Sequence, residues 1–349
     1  MDFALSPEQA ELQRTVRAFL SEKSDDAAVR RLMEAEVGYD TAVWHQMATQ
    51  LGLHGLAIAE EHGGAGFGLQ EQAIVFEEMG RALLCAPYFA TVALAAPALA
   101  LSDAAAQYLP DIAAGATIAT VSTDAATAVQ QRADWTLTGE LDHVLDGHLA
   151  DLILVSAGDG LFAVAGDANG VKRELLATMD QTRKQARLTL DSVPARRIGS
   201  AAILGQVLDI AVVLLAAEQV GGASACLEQT VEYAKVREQF GRPIGSFQAI
   251  KHTWTEMLLE VESARAAAQY AAWAADAAPE ELPVAAALAK AHCSEAYARV
   301  ATESIQLHGG IGFTWEHRTH LYYKRAKSSE LLFGAPAAHR EQLVTRLAL

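Results

Sequence analysis

The sequence predicts an α+β protein: an N-terminal helical domain, a small β-barrel or sandwich in the middle, and a C-terminal four-helix bundle. Two changes of periodicity carry this reading. Helical spacing gives way to short alternating runs near residue 116, and long helical runs return near residue 206. The third observation is length, since 349 residues suffice for two or three domains of roughly 100–200 residues each. The expected boundaries are 1–115, 116–205 and 206–349.

In the first domain, SPEQAELQRTVRAFLSEK pairs Ser6 with Gln9 three residues on, a capping-box pattern. Leu12, Val16, Phe19 and Leu20 then recur at helical spacing. TAVWHQMATQLG, LQEQAIVFEEMGRALL and the alanine-rich run before YLPDIAAG read as further helices. EEHGGAGFG is a loop, because four glycines in six positions are costly inside a helix. In the second domain, ATIATVST, DWTLTGELDHV, DLILVSA, GLFAVAG and RLTLDSV are strand signals punctuated by Gly, Asp and Asn. The third opens with VLDIAVVLLAAEQVGGASACLEQTVEYAKVREQF, apolar nearly all round and hence a helix buried in a bundle or an oligomer interface. SFQAIKHTWTEMLLEVESARAAAQYAAWAADA and LPVAAALAKAHCSEAYARVATESIQLHGG follow as long helices, the last stopped by Gly309 and Gly310.

Lys plus Arg total 27 against 43 Asp plus Glu, a net charge of −16. Such a surface repels nucleic acid and anionic lipid at long range, so an anionic ligand requires locally placed arginines. Cys85, Cys226 and Cys293 are widely spaced with no CxxC pair, which excludes a zinc or disulfide framework and suits buried thiols in a reducing compartment. The opening MDFALSPEQAELQ lacks a basic-then-apolar signal pattern. The apolar stretch from Ala86 to Leu101 holds Pro87 and Pro97 and falls short of the ~20 residues that span a bilayer. A cytoplasmic protein bound to neither membrane nor nucleic acid is expected.

Two segments carry chemistry. REQFGRPIGSFQAIKH (237–252) ends a helix with Arg237, turns through Gly241, Pro243 and Gly245, and restarts a helix with Ser246 as expected N-cap and Gln248 in the first turn. An arginine beside a helix N-terminus suits a diphosphate, although a surface helix turn explains the same residues. IQLHGGIGFTWEH (305–317) places Gln306 before Gly309, Gly310 and Gly312, where backbone has room to approach a ligand, although a glycine C-cap looks the same.

In this order and spacing the two segments resemble the C-terminal domain of acyl-CoA dehydrogenases. GLHGLAIAEEHGGAGFGLQEQAIVFEEMGRAL and YLPDIAAG extend the resemblance over nearly the whole chain. It implies the acyl-CoA dehydrogenase fold, with FAD shared at a subunit interface. Arg237, Gln248, Gln306 and the Gly309–Gly312 loop would contact the adenosine diphosphate half of an FAD held chiefly by a neighbouring subunit, with Phe240 packed against it. The family's catalytic glutamate lies in a Tyr-Glu-Gly-Thr-like segment; here the stretch is LLFGAPAAHR and the position is Phe333. Some relatives carry the base in a Leu-Asp-x-Glu-Arg pattern; here the stretch is LDIAV and the position is Ala211. Neither residue takes a proton. The flavin-side loop is also degenerate, since TVSTDAATAVQQ has neither Pro nor Gly.

The pattern is similar to the shorter, non-catalytic chains of actinobacterial α2β2 enzymes that oxidise steroid side-chain CoA thioesters. The implied partners are a homologous catalytic subunit, the acyl-CoA substrate and an electron-transfer flavoprotein. Two alternatives stay open at this level: a homo-oligomeric dehydrogenase with Glu330 as displaced base, and a flavin-free scaffold of the same fold.

Overall fold

The computed structural model of the chain describes residues 4–132 and 134–348. Helices α1 (Pro7–Lys23), α2 (Asp26–Glu34), α3 (Thr41–Thr49) and α4 (Leu69–Ala82) come first. A π-helical segment, Phe89–Ala95, runs into α5 (Ala96–Ala100), and α6 (Ala105–Ala113) follows. Seven strands then form the middle of the chain: β1 (Ala119–Ala125), β2 (Thr127–Gln131), β3 (Asp134–Leu145), β4 (Leu152–Ala157), β5 (Gly160–Ala165), β6 (Val171–Leu175) and β7 (Gln185–Ser200). The remainder is α7 (Leu204–Val236), the two-residue strands β8 (Glu238–Gln239) and β9 (Arg242–Pro243), α8 (Gln248–Ala277), α9 (Leu282–His308), α10 (Thr319–Leu331) and α11 (Pro336–Arg346). The chain folds as two compact units, one of Met1–Val29, Leu69–Leu84 and Val212–Leu349, the other of Arg30–Gly68 and Cys85–Ala211.

In the first unit, α1 starts at the expected capping box: Gln9 N donates to Ser6 Oγ (3.2 Å) and Ser6 N donates to Gln9 Oε1 (3.1 Å). Helix α4 crosses α7 in backbone contact. A methyl at Gly80 would sit 1.9 Å from the Glu218 carbonyl oxygen, and one at Gly221 would sit 1.7 Å from that of Glu77. The buried carboxylates at this crossing are neutralised locally. Glu218 pairs with Arg325 at 2.9 Å, Glu78 takes both Nε and Nη2 of Arg17, and Glu77 pairs with Arg265. Helix α9 packs against α8, α10 and α11. Among the described residues one helical run, 201–236, is long and apolar enough to cross a membrane, but its stretch from Ala211 to Cys226 is buried inside the fold.

In the second unit the strand order is β1-β4-β5-β7-β3-β2, with β6 also on β7. Strand β7 is long enough to serve two sheets. Its first part pairs with β3 and β6, and Arg196–Ser200 pair with β5. Leu137, Leu141, Ile153, Phe162, Leu188 and Val193 fill the interior with other residues of alternating position, as period-2 patterning requires. Thr91 Oγ1, from the π-helical segment, both donates to Ala119 O (3.1 Å) and accepts from Ala119 N (3.2 Å), fixing that segment on β1. The three cysteines are all buried, and none is in a disulfide.

Candidate functional site

Helix α7 ends at Val236, and the chain makes a small hairpin whose strands pair Glu238 with Pro243 and Gln239 with Arg242. The two residues between, Phe240 and Gly241, both have positive φ (56° and 76°). A two-residue hairpin turn needs that geometry at both positions. Glycine meets it freely, whereas a side-chain-bearing residue pays about 1–2 kcal/mol. The phenyl ring so placed is 93% exposed. Behind the tip, the Arg242 guanidinium lies 4.2 Å over the Phe247 ring, and Ile244 N donates to Arg237 O at 2.8 Å. Gly245 is pressed between Trp254 and the Ala234 carbonyl.

Ser246 does not cap the following helix. It belongs to a 3-10 turn, Ile244–Ser246, and its Oγ donates to Pro243 O at 2.7 Å. The cap position falls to Phe247, which has no side-chain acceptor, so the 30-residue helix α8 starts at Gln248 with no side-chain cap. Such a helix start has orphan N–H donors and the positive end of the dipole. Gln248 is exposed there, its Nε2 3.4 Å from His252 Nε2. Arg237 is exposed and its guanidinium has no ion pair or hydrogen bond among the described residues.

The second loop follows α9. Gly309 (φ 63°) breaks the helix, and a 3-10 turn covers Gly309–Phe313. Gly309 and Gly310 face open space where a side chain would stand. Gly312 differs: it is buried, with His308 Cβ and Ile305 O each 2.9 Å from where its own Cβ would lie, so it serves packing. Gln306 is exposed on the last turn of α9, and Phe313 is 84% exposed. The two loops leave the bundle at one end, because Tyr233 near the end of α7 stacks on His308 at the end of α9, ring centroids 4.5 Å apart. Its hydroxyl also reaches the His308 carbonyl at 3.4 Å.

The positions where a base would stand are closed. Ala211 is fully buried in α7. Phe333, partly buried just after α10, has φ 60°, and its carbonyl accepts from His339 Nε2 at 3.0 Å. The Glu330 carboxylate, three residues earlier, is engaged by Lys327. On β1, Thr120 Oγ1 donates to Leu145 O at 2.6 Å and Ser122 Oγ donates to Asp124 O at 3.1 Å, both hydroxyls being buried and internally bonded. Among the described residues no cluster suits a metal ion.

Residues 6–116 match the family described as acyl-CoA dehydrogenase, N-terminal domain, and residues 199–348 match acyl-CoA dehydrogenase, C-terminal domain. The acyl-CoA dehydrogenase IpdE2 of Mycobacterium tuberculosis is 38% identical over 95% of this chain and 94% of its own length. This chain belongs to the acyl-CoA dehydrogenase family. Acyl-CoA dehydrogenase IpdE2 of Mycolicibacterium smegmatis is 39% identical over 97% of both chains. Among solved structures, a chain of the Tcur3481-Tcur3483 steroid ACAD superposes with a TM-score of 0.90 at 34% identity, covering 98% of each chain. The ChsE4-ChsE5 complex from Mycobacterium tuberculosis gives 0.93 at 30% identity, covering 100% of this chain and 99% of that one. The fold of an acyl-CoA dehydrogenase is thus present throughout, the family is one of oxidoreductases, and a superposing FAD-dependent dehydrogenase implies FAD as the cofactor.

The chain fits that cofactor unevenly. An unpaired arginine, a helix start without a side-chain cap and two open glycines at one end suit the adenosine diphosphate half. The buried, internally bonded hydroxyls of Thr120 and Ser122 offer nothing to a flavin ring. Sequence reading named Arg237, Phe240, Gln248, Gln306 and the glycines as candidates. It did not reach the bare helix start or the Tyr233–His308 stack, because neither leaves a motif.

Proposed function

We propose that this chain is a non-catalytic subunit of a heteromeric FAD-dependent acyl-CoA dehydrogenase. It lends contacts to the adenosine diphosphate half of an FAD held mainly by a homologous partner subunit. One observation carries the reading: both base positions hold side chains that cannot take a proton, Phe333 and Ala211, while the cofactor-facing end is intact and uncommitted. In the complex, Arg237 would face the diphosphate with the start of α8, Gln248 and Gln306 would hydrogen-bond nearby, and Phe240 would pack on the cofactor. Gly309 and Gly310 would let backbone approach it, and Gly312 would hold their loop in place. The partner's carboxylate removes the α-proton of the acyl-CoA. FAD, when bound, supplies the acceptor for the β-hydride, and an electron-transfer flavoprotein is the onward electron acceptor.

The likeness to the Tcur3481-Tcur3483 steroid ACAD and to the ChsE4-ChsE5 complex favours a two-chain assembly and a steroid side-chain CoA thioester as substrate. In this reading, residues 1–115, 116–205 and 206–349 are the three domains, and the complex works in the cytoplasm. The displaced-base alternative is disfavoured by Lys327, which already neutralises Glu330. Expression with and without a homologous full-length subunit tests the proposal. A colourless or poorly soluble lone chain and a yellow two-chain complex are expected; stoichiometric FAD in the lone chain would overturn it, and a colourless complex would favour a scaffold.

A further inference from the structure

Lys290 lies in the middle of α9 and is fully buried. A buried ammonium is tolerated only where its donors find acceptors. Here Nζ donates to Ser294 Oγ (3.0 Å), to Ser329 O (2.9 Å) and to Glu330 O (3.0 Å). The two carbonyls belong to the last turn of α10, where helix carbonyls lack intrahelical partners and the dipole is negative. Ser294 in turn accepts from Gln219 Nε2 on α7 at 3.0 Å. One cation therefore ties the end of α10 to α9 and α7.

The segment that leaves α10 is held from its other side as well. His339, buried on α11, donates from Nε2 to Phe333 O. Its ring lies 3.3 Å from where a Cβ on Gly334 (φ 104°) would stand. Between the two clamps Phe333 keeps its left-handed backbone.

We propose that Lys290 is the positioning residue of the Ser329–Ala335 segment, the stretch at which base-bearing family members carry their carboxylate, and that with His339 it fixes Phe333 in place. The name of that stretch rests on the family reading above. The clamp itself is tested without FAD, substrate or turnover, so the two fail separately.

The three hydrogen bonds of Nζ make Lys290 the clamp, and its titration offers a readout. Burial pushes its ammonium down to about 8 from the ordinary 10.5, with the Glu330 carboxylate opposing. The other titratable groups facing it are silent above pH 8: burial holds the Cys293 thiol up at about 12 and lowers His339, which stays neutral. The ammonium binds its proton more tightly when the segment is open than when it is closed. Raising pH from about 8 towards 10.5 therefore favours the closed segment by up to about tenfold per pH unit.

Rapid-mixing hydrogen exchange on the full-length chain, in whichever assembly it purifies, reads this directly. After correction for intrinsic rates, opening of residues 329–335 should fall as pH rises from 8 to 10 in the wild type. Lys290→Met should flatten that profile and raise opening at pH 10, where the buried charge is gone and only the lost hydrogen bonds count, about tenfold or more, with peptides from β3 and β4 unchanged. A wild-type profile flat over that window overturns the proposal even if the variant fails to fold. So does a Lys290→Met chain that keeps wild-type protection at 329–335.

Discussion

The two segments that the family resemblance assigns to cofactor and base differ sharply in this chain. At the 237–248 and 306–312 end, Arg237, Gln248 and Gln306 are exposed, with Phe240 held out on a strained turn. At the 329–339 end, the backbone carbonyls of Ser329, Glu330 and Phe333 are engaged internally by Lys290 and His339. A strained residue whose ring meets only the edge of Phe247 and is otherwise exposed suits a contact outside the chain. A locked segment with no acidic group at the base position implies that none is needed there. In the proposed reading the contrast separates holding a cofactor from using it, and most of the experiments below press on one side of it.

The largest effect is expected at the partner's base. Its replacement by glutamine should lower turnover of the complex by roughly 10²–10⁴-fold or more, the range for losing a general base. Glu330→Gln in this chain should leave turnover within about twofold. A thousandfold loss from Glu330→Gln, with FAD content and assembly preserved, would show that the base has moved. Next comes Arg237→Ala. A charge-assisted contact to a diphosphate contributes about 1.5–3 kcal/mol, so FAD release from the complex should be about tenfold or more easier. Equilibrium titration with FAD checks this, and an unchanged affinity would remove Arg237 from the site.

A smaller effect belongs to His54, fully buried with its ring against Trp44 and Tyr88, far from either contrast in sequence. Burial pushes it down to about 3 from 6.5. The unfolded chain takes up that proton first, so stability is full above about pH 6.5 and declines as pH falls towards 3, by about 1.4 kcal/mol per unit within the window. Denaturant midpoints at pH 7 and 5 should differ less in His54→Phe than in the wild type; equal differences would clear His54. The smallest effect is at the hairpin tip. Phe240→Gly should stabilise the lone chain by about 1 kcal/mol by relieving the left-handed strain, while weakening FAD retention in the complex. Loss of stability in the lone chain would mean that the ring packs internally after all.

Much of this fold is written in local pattern. The capping box at Ser6 and the long apolar runs of α7, α8 and α9 announce themselves by spacing. Strands β2 and β6 do not. TAVQQ and VKREL carry few apolar residues, and their pairing is set by β3 and β7, which hold the hydrophobic alternation for them. The π-helical segment is equally silent, since its register is fixed by the bond of Thr91 to β1 rather than by its own residues. At the site, residue types were legible and conformations were not. Nothing in REQFGRPIGS says that Phe240 turns left-handed or that Ser246 bonds backwards to Pro243 and leaves α8 bare.

The crossing of α4 and α7 has a consequence for how this sequence can change. At Gly80 and Gly221 even a single methyl group would meet a carbonyl oxygen at less than 2 Å, so the smallest step available to a mutation is already too large. Elsewhere in the bundle, volume can drift by trading one apolar side chain for another and repacking. Here there is no intermediate size between hydrogen and collision. The two helices can change along the rest of their length and still remain pinned at this point, which makes the crossing a fixed reference between them.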